Sequence, residues 1–85
     1  MIRAAPSISW TPGAGEITLF DSRDGSYHAL NPSAAEIWTG VAGGESQDVV
    51  ARAIAARHGV EPEIVAAHVE EFVDAALAKG LLYSD

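Results

Sequence analysis

The side chains in this 85-residue sequence that could support acid–base or metal chemistry are three histidines and twelve carboxylates, and there is no cysteine. His28, His58 and His68 are far apart along the chain, and none sits beside a nucleophile in a recognisable constellation. Ser7, Ser26, Ser33, Ser46 and Ser84 stand at strand or helix boundaries, where turn and capping roles account for them, and none lies in a G-x-S-x-G setting. A helical Glu71 could face His68 at i, i+3, but one such pair falls far short of a metal-ligand set. The glycine-rich runs "GAG" (13 to 15) and "GVAGGES" (40 to 46) are turns: the first joins two strands, and the second lacks the Lys and preceding strand of a phosphate cradle. The residues therefore point to no enzyme, no metal and no cofactor, and to binding as the chemistry to look for.

The elements around these residues follow from period and punctuation. Residues 1 to 6 read as a flexible tail, with one domain over 7 to 85. "SISW" and "EITLFD" are short β-branched and aromatic runs separated by the turn "TPGAG", and "SYHALN" follows as a third strand after Asp24-Gly25. On that third strand Tyr27 and Ala29 share one face, His28 and Leu30 the other. Asn31-Pro32 switches the period within two residues, Asn as N-cap and Pro as first helical residue. Ala34, Ile37, Trp38 and Val41 mark a first helix ending near Gly43-Gly44. Ser46 caps a second helix to about His58, with Val49, Val50, Ala53, Ile54 and Ala56 on its buried side and Gly59 as its stop. Glu61-Pro62-Glu63 opens a third and longest helix that Lys79-Gly80 closes. Its apolar residues Ile64, Val65, Val69, Phe72, Val73, Ala76 and Leu77 cover more than half the circumference, beyond the stripe of a little over 100° that one core needs. Either two elements flank this helix, or one edge of it is left for a partner.

The expected fold class is α+β: a three-stranded antiparallel sheet followed by three helices, a winged helix-turn-helix-like plan. Such a plan usually places a recognition helix in a DNA groove. Here the formal net charge is -7, and the corresponding helix carries Glu63, Glu70, Glu71 and Asp74 against Lys79 alone, so nucleic acid is excluded as a partner. No apolar run approaches the roughly 18 residues of a membrane span, and "MIRAAPSISW" lacks the features of a secretory signal, which makes the cytoplasm the expected compartment. A three-stranded sheet beside a half-apolar helix offers an edge and a groove, to which an extended peptide could add a strand.

The run "LNPSAAEIW" (30 to 38), the preceding "DSRDGSYHA", the following "GG" and "VVARAIAARHGV", and the closing "VEEFVDAALAKGLL" together resemble the PqqD-like proteins, the RiPP precursor peptide recognition elements. The likeness covers residues 8 to 83. It implies a standalone, non-catalytic domain that captures the leader of a ribosomally synthesised precursor peptide by strand addition. It also implies delivery of that peptide to a tailoring enzyme such as a leader peptidase, cyclase or radical enzyme. By position, the resemblance places the leader against Tyr27, His28, Ala29 and Leu30 of the third strand and in a groove shared with the third helix. Family members often carry a basic residue near 77 and a larger apolar one near 76, where this chain has Leu77 and Ala76; that favours an apolar anchor over an acidic one.

The energetics support the need for such an anchor. Each added backbone bond gains about 1 kcal/mol, whereas ordering each guest residue costs about 1 to 2 kcal/mol. Affinity must then come from side chains buried at about 25 cal/mol per Å² of apolar area. On the helix, the preferred lining is Ala66, Val69, Val73 and Leu77 with Glu70 and Asp74 on the rim; the opposite edge is Ile64, His68, Glu71 and Ala75. With that lining, Val73→Asp is expected to abolish peptide binding and leave the domain folded. The free edge also offers a second copy of the chain a route to a homodimer. The alternative readings are an acidic winged-helix interaction or regulatory module outside peptide tailoring, and a small subunit that stabilises a larger enzyme.

Overall fold

A computed structural model describes all 85 residues. In chain order the elements are β1 (Ile2–Ala4), β2 (Ile8–Pro12), β3 (Ile17–Asp21), β4 (Ser26–Leu30), α1 (Pro32–Ala42), α2 (Gln47–His58), α3 (Pro62–Ala78) and β5 (Leu82–Ser84). Strands β2, β3 and β4 form the expected antiparallel meander in that spatial order. The third strand of the sequence reading is thus β4, and α1 to α3 are the three expected helices.

Residues 2 to 4 depart from the expected tail. They form β1, antiparallel to β5, with Ile2 opposite Ser84 and Ala4 opposite Leu82. The two partners lie at opposite ends of the chain, so neither three-residue segment carries a local signal; only the closed fold brings them together. Ala5 and Leu82 are both buried, and the Asp85 N–H donates to the Met1 carbonyl at 3.0 Å, which ties this ribbon to the core and closes its end.

The core lies between the inward face of the meander and the helices. Ile8, Ile17, Leu19 and Leu30 come from the sheet, and Ile37, Trp38, Val41, Val50, Val65, Val69 and Val73 from the helices. Trp38 is fully buried and meets Trp10 of β2 edge to face, ring centroids 5.3 Å apart. On α1 the buried set is Ala35, Ile37, Trp38 and Val41, with Ala34 half-buried beside it. On α2 the buried side is Val50, Ala51 and Ala55, with Ile54 half-buried. Val49, Ala53 and Ala56, expected inside, are exposed: the alanine-rich sequence left the phase of the stripe open, and packing against α3 and α1 set it.

The capping signals hold. Asn31 Oδ1 accepts from the Ala34 N–H at 2.9 Å, and Ser46 Oγ accepts from the Val49 N–H at 3.2 Å. Gly59 ends α2 with φ 66°, the left-handed conformation glycine adopts without penalty. Gly40 has another role: a Cβ there would lie 2.6 Å from Val50 Cγ2, so its bare Cα lets α1 and α2 approach.

Candidate functional site

β4 pairs with β3 through Ser26 opposite Asp21, Tyr27 opposite Phe20, His28 opposite Leu19, Ala29 opposite Thr18 and Leu30 opposite Ile17. Its other edge pairs with no strand. Tyr27 and Ala29 lie on the outward face, where the Tyr27 ring leans on Phe20 at 5.0 Å between centroids; Tyr27 is 71% exposed. Ser26, His28 and Leu30 occupy the inward face, running from half-buried at Ser26 and His28 to buried at Leu30. Asn31 then ends the strand by capping α1.

The turn before β4 is bonded to the end of α3, and α1, which follows β4, shares a hollow with α3. At the start, the β3–β4 turn carries Arg23, whose Nη2 donates to the Gly80 carbonyl at 3.2 Å and reaches that of Lys79 at 3.5 Å. Gly80 has φ 75°, and a Cβ there would meet the Arg23 guanidinium at 2.8 Å, so glycine serves both the helix stop and the docking of the turn. At the other end, Ser33 shares a hollow of about 190 Å³ with Ile37, Val65 and His68. The rise from residue 68 to 79 of a helix is about 16 Å, and a five-residue strand is also about 16 Å long. The two elements are therefore matched in length, with little direct packing between them.

The side chains of α3 divide by this geometry. Val65, Val69, Val73 and Ala76 are buried in the core. At 100° per residue, His68, Phe72, Ala75 and Lys79 fall within about 60° of arc on the flank that meets Ser33 and the Arg23 turn. Ala66, Glu70, Asp74 and Leu77 lie on the other flank or outward, all exposed except the half-buried Leu77.

Two residues of the preferred lining are thereby corrected. Val69 and Val73 are each 1% exposed and belong to the core, so no guest reaches them while the domain is folded. The excess apolar width of α3 is Ile64, 55% exposed, together with the half-buried Phe72. The sequence could have found the stripe through His68 and Ala75, but the phase of the helix about its axis depends on where β4 lies, which no periodicity reports.

Asp21, across from Ser26, anchors the turn. It is 3% exposed and accepts from Arg23 Nε at 3.0 Å, Arg23 Nη2 at 2.6 Å and the Arg23 backbone N–H at 3.0 Å. The side-chain bond first, and then the backbone bond, push its carboxyl down to about 2. Away from β4, Glu36 accepts from Arg57 and lies 2.8 Å from His58 Nε2, tying α1 to the end of α2. These groups bridge helices and line no shared pocket with His28. No three His or carboxylate groups gather to hold a metal ion. No helix is long and apolar enough to cross a membrane.

Residues 16–82 match the family model described as coenzyme PQQ synthesis protein D, PqqD. No curated protein matches the chain by sequence. Among solved structures the fold is similar to that of TbiB1 in complex with the TbiA(beta) leader peptide, with TM-score 0.88 and 24% identity over 98% of this chain and 99% of that one. It is also similar to lasso peptide synthetase B1 complexed with the leader peptide, with TM-score 0.87 and 26% identity over 98% of each chain.

Proposed function

The chain belongs to the PqqD family, and from that premise we propose that it is a non-catalytic leader-peptide-binding protein of RiPP biosynthesis. A precursor leader adds a strand to the outer edge of β4 and lays its inward side chains against α3. The observation that carries this reading is the unpaired outer edge of β4, a strand whose preceding turn is bonded to the carbonyls that close α3. The two similar structures, each a complex with a leader peptide, support the same reading.

The proposed contacts are the backbone of Tyr27, His28, Ala29 and Leu30 and the side chains of His28, His68, Phe72 and Ala75. They replace Ala66, Val69, Val73 and Leu77 on the helix, and leave Glu70 and Asp74 facing solvent. The recognition domain, the β1–β5 ribbon included, acts in the cytoplasm, where the precursor is made. The bound leader is handed to a tailoring enzyme such as a leader peptidase, cyclase or radical enzyme. A second copy of the chain would compete with the leader for the same edge, so a homodimer formed there is a resting form that the leader dissociates.

Titrating the ¹⁵N-labelled protein with synthetic leader peptides, beginning with the TbiA(beta) leader, tests this. Saturable amide shifts should concentrate at 26 to 30 and at 68, 72 and 75. Saturable binding that leaves 26 to 30 unmoved would overturn the strand-addition reading.

A further inference from the structure

Ser26 and His28 are neighbours on the inward face of β4, and their side chains are joined. Ser26 Oγ lies 2.7 Å from Asp24 Oδ1 and 3.3 Å from His28 Nε2. The Ser26 hydroxyl and the Ser26 backbone N–H both donate to Asp24, which lowers that carboxyl below its ordinary range and makes it a firm acceptor. A serine hydroxyl has one proton, and here Asp24 takes it. The oxygen can then only accept from the imidazole, so Nε2 carries the ring hydrogen. In a neutral imidazole this leaves Nδ1 a bare acceptor, and Nδ1 has no partner within the protein.

We infer that His28 is the specificity-determining residue of the β4 edge: its Nδ1 accepts a hydrogen bond from the guest residue paired across from it, selecting a donor side chain there and rejecting Asp and Glu. The inference rests on the strand-addition reading. A cross-strand neighbour presents its side chain on the same face with Cβ atoms about 4.5 to 5.5 Å apart, within reach of the ring edge. Ser, Thr, Tyr, Asn and Gln can donate; a carboxylate meets a lone pair.

The surrounding charges reinforce this choice. Asp21 and Asp24 flank the start of β4, and Arg23 is already committed to Asp21 and to the carbonyls closing α3. On that flank of α3 His68 and Lys79 lie toward the two ends, with Phe72 and Ala75 between them. A site built to pair a polar group discriminates strongly, because the wrong guest covers the acceptor without satisfying it.

The test uses a displayed library of random dodecapeptides selected at pH 8 against the wild type and against His28→Leu and Ser26→Ala. Wild-type binders that shift the amides of 26 to 30 should show donors over carboxylates by about tenfold at one position. His28→Leu should replace that preference by an apolar one. Ser26→Ala frees the ring to place its hydrogen on Nδ1 and should restore Asp and Glu there. The ¹⁵N spectrum of the wild-type ring should show the hydrogen on Nε2. A hydrogen on Nδ1, or the same residue preferences in wild type and His28→Leu, would overturn the assignment of His28 while leaving strand addition intact. Binders that never perturb 26 to 30 would overturn both.

Discussion

Val73 sits among buried valines of α3 with 1% of its surface exposed, and an aspartate there would place an unpaired charge inside the core. Val73→Asp should therefore cost about 3 to 5 kcal/mol and leave little folded protein; urea unfolding by circular dichroism measures it. Phe72→Ala, by contrast, removes a half-buried ring from the flank beside β4. It should weaken leader binding by about tenfold or more while the domain stays folded, read by fluorescence anisotropy of a labelled leader. Asp21 gives a pH signature. Its folded pKa, about 2, is depressed below the ordinary carboxylate value, so its contribution to stability is present above about pH 4 and is lost as pH falls through about 2. Melting temperatures from pH 5 to 2 should fall less steeply for Asp21→Asn than for the wild type.

At the scale of elements, short-range chemistry was legible and long-range pairing was not. Asn31-Pro32, Ser46 and Gly59 each fix a boundary through bonds or dihedrals within a few residues, so helix ends could be read directly. Asn31→Ala should cost about 1 kcal/mol by removing the bond to the Ala34 N–H, seen as a lower urea midpoint. The face assignment on β4 was equally legible, since strand alternation needs only one buried reference such as Leu30. Two features escaped because they exist only after closure: the β1–β5 ribbon, whose partners are joined by the whole chain, and the rotation of α3 about its axis. The close α1–α2 approach is a third. Gly40 read as the start of a turn but lies inside α1, and Gly40→Ala should destabilise by about 1 to 3 kcal/mol through overpacking, with a smaller loss when Val50 is also alanine. A double-mutant cycle of urea midpoints measures that coupling.

For the whole molecule, the fold keeps a winged-helix-like plan while its surface suits a different guest. A net charge of -7 on 85 residues repels phosphate backbones, whereas the unpaired outer edge of β4 offers hydrogen-bonding groups that are indifferent to charge. The ribbon of β1 and β5 carries a further consequence. Because the backbone of residue 85 is bonded to that of residue 1, the two ends of the domain lie side by side. A host protein could therefore accept it as an insertion at one exposed loop, or its ends could be stitched together and the chain reopened at the Gly13 turn, with β4 and α3 left whole.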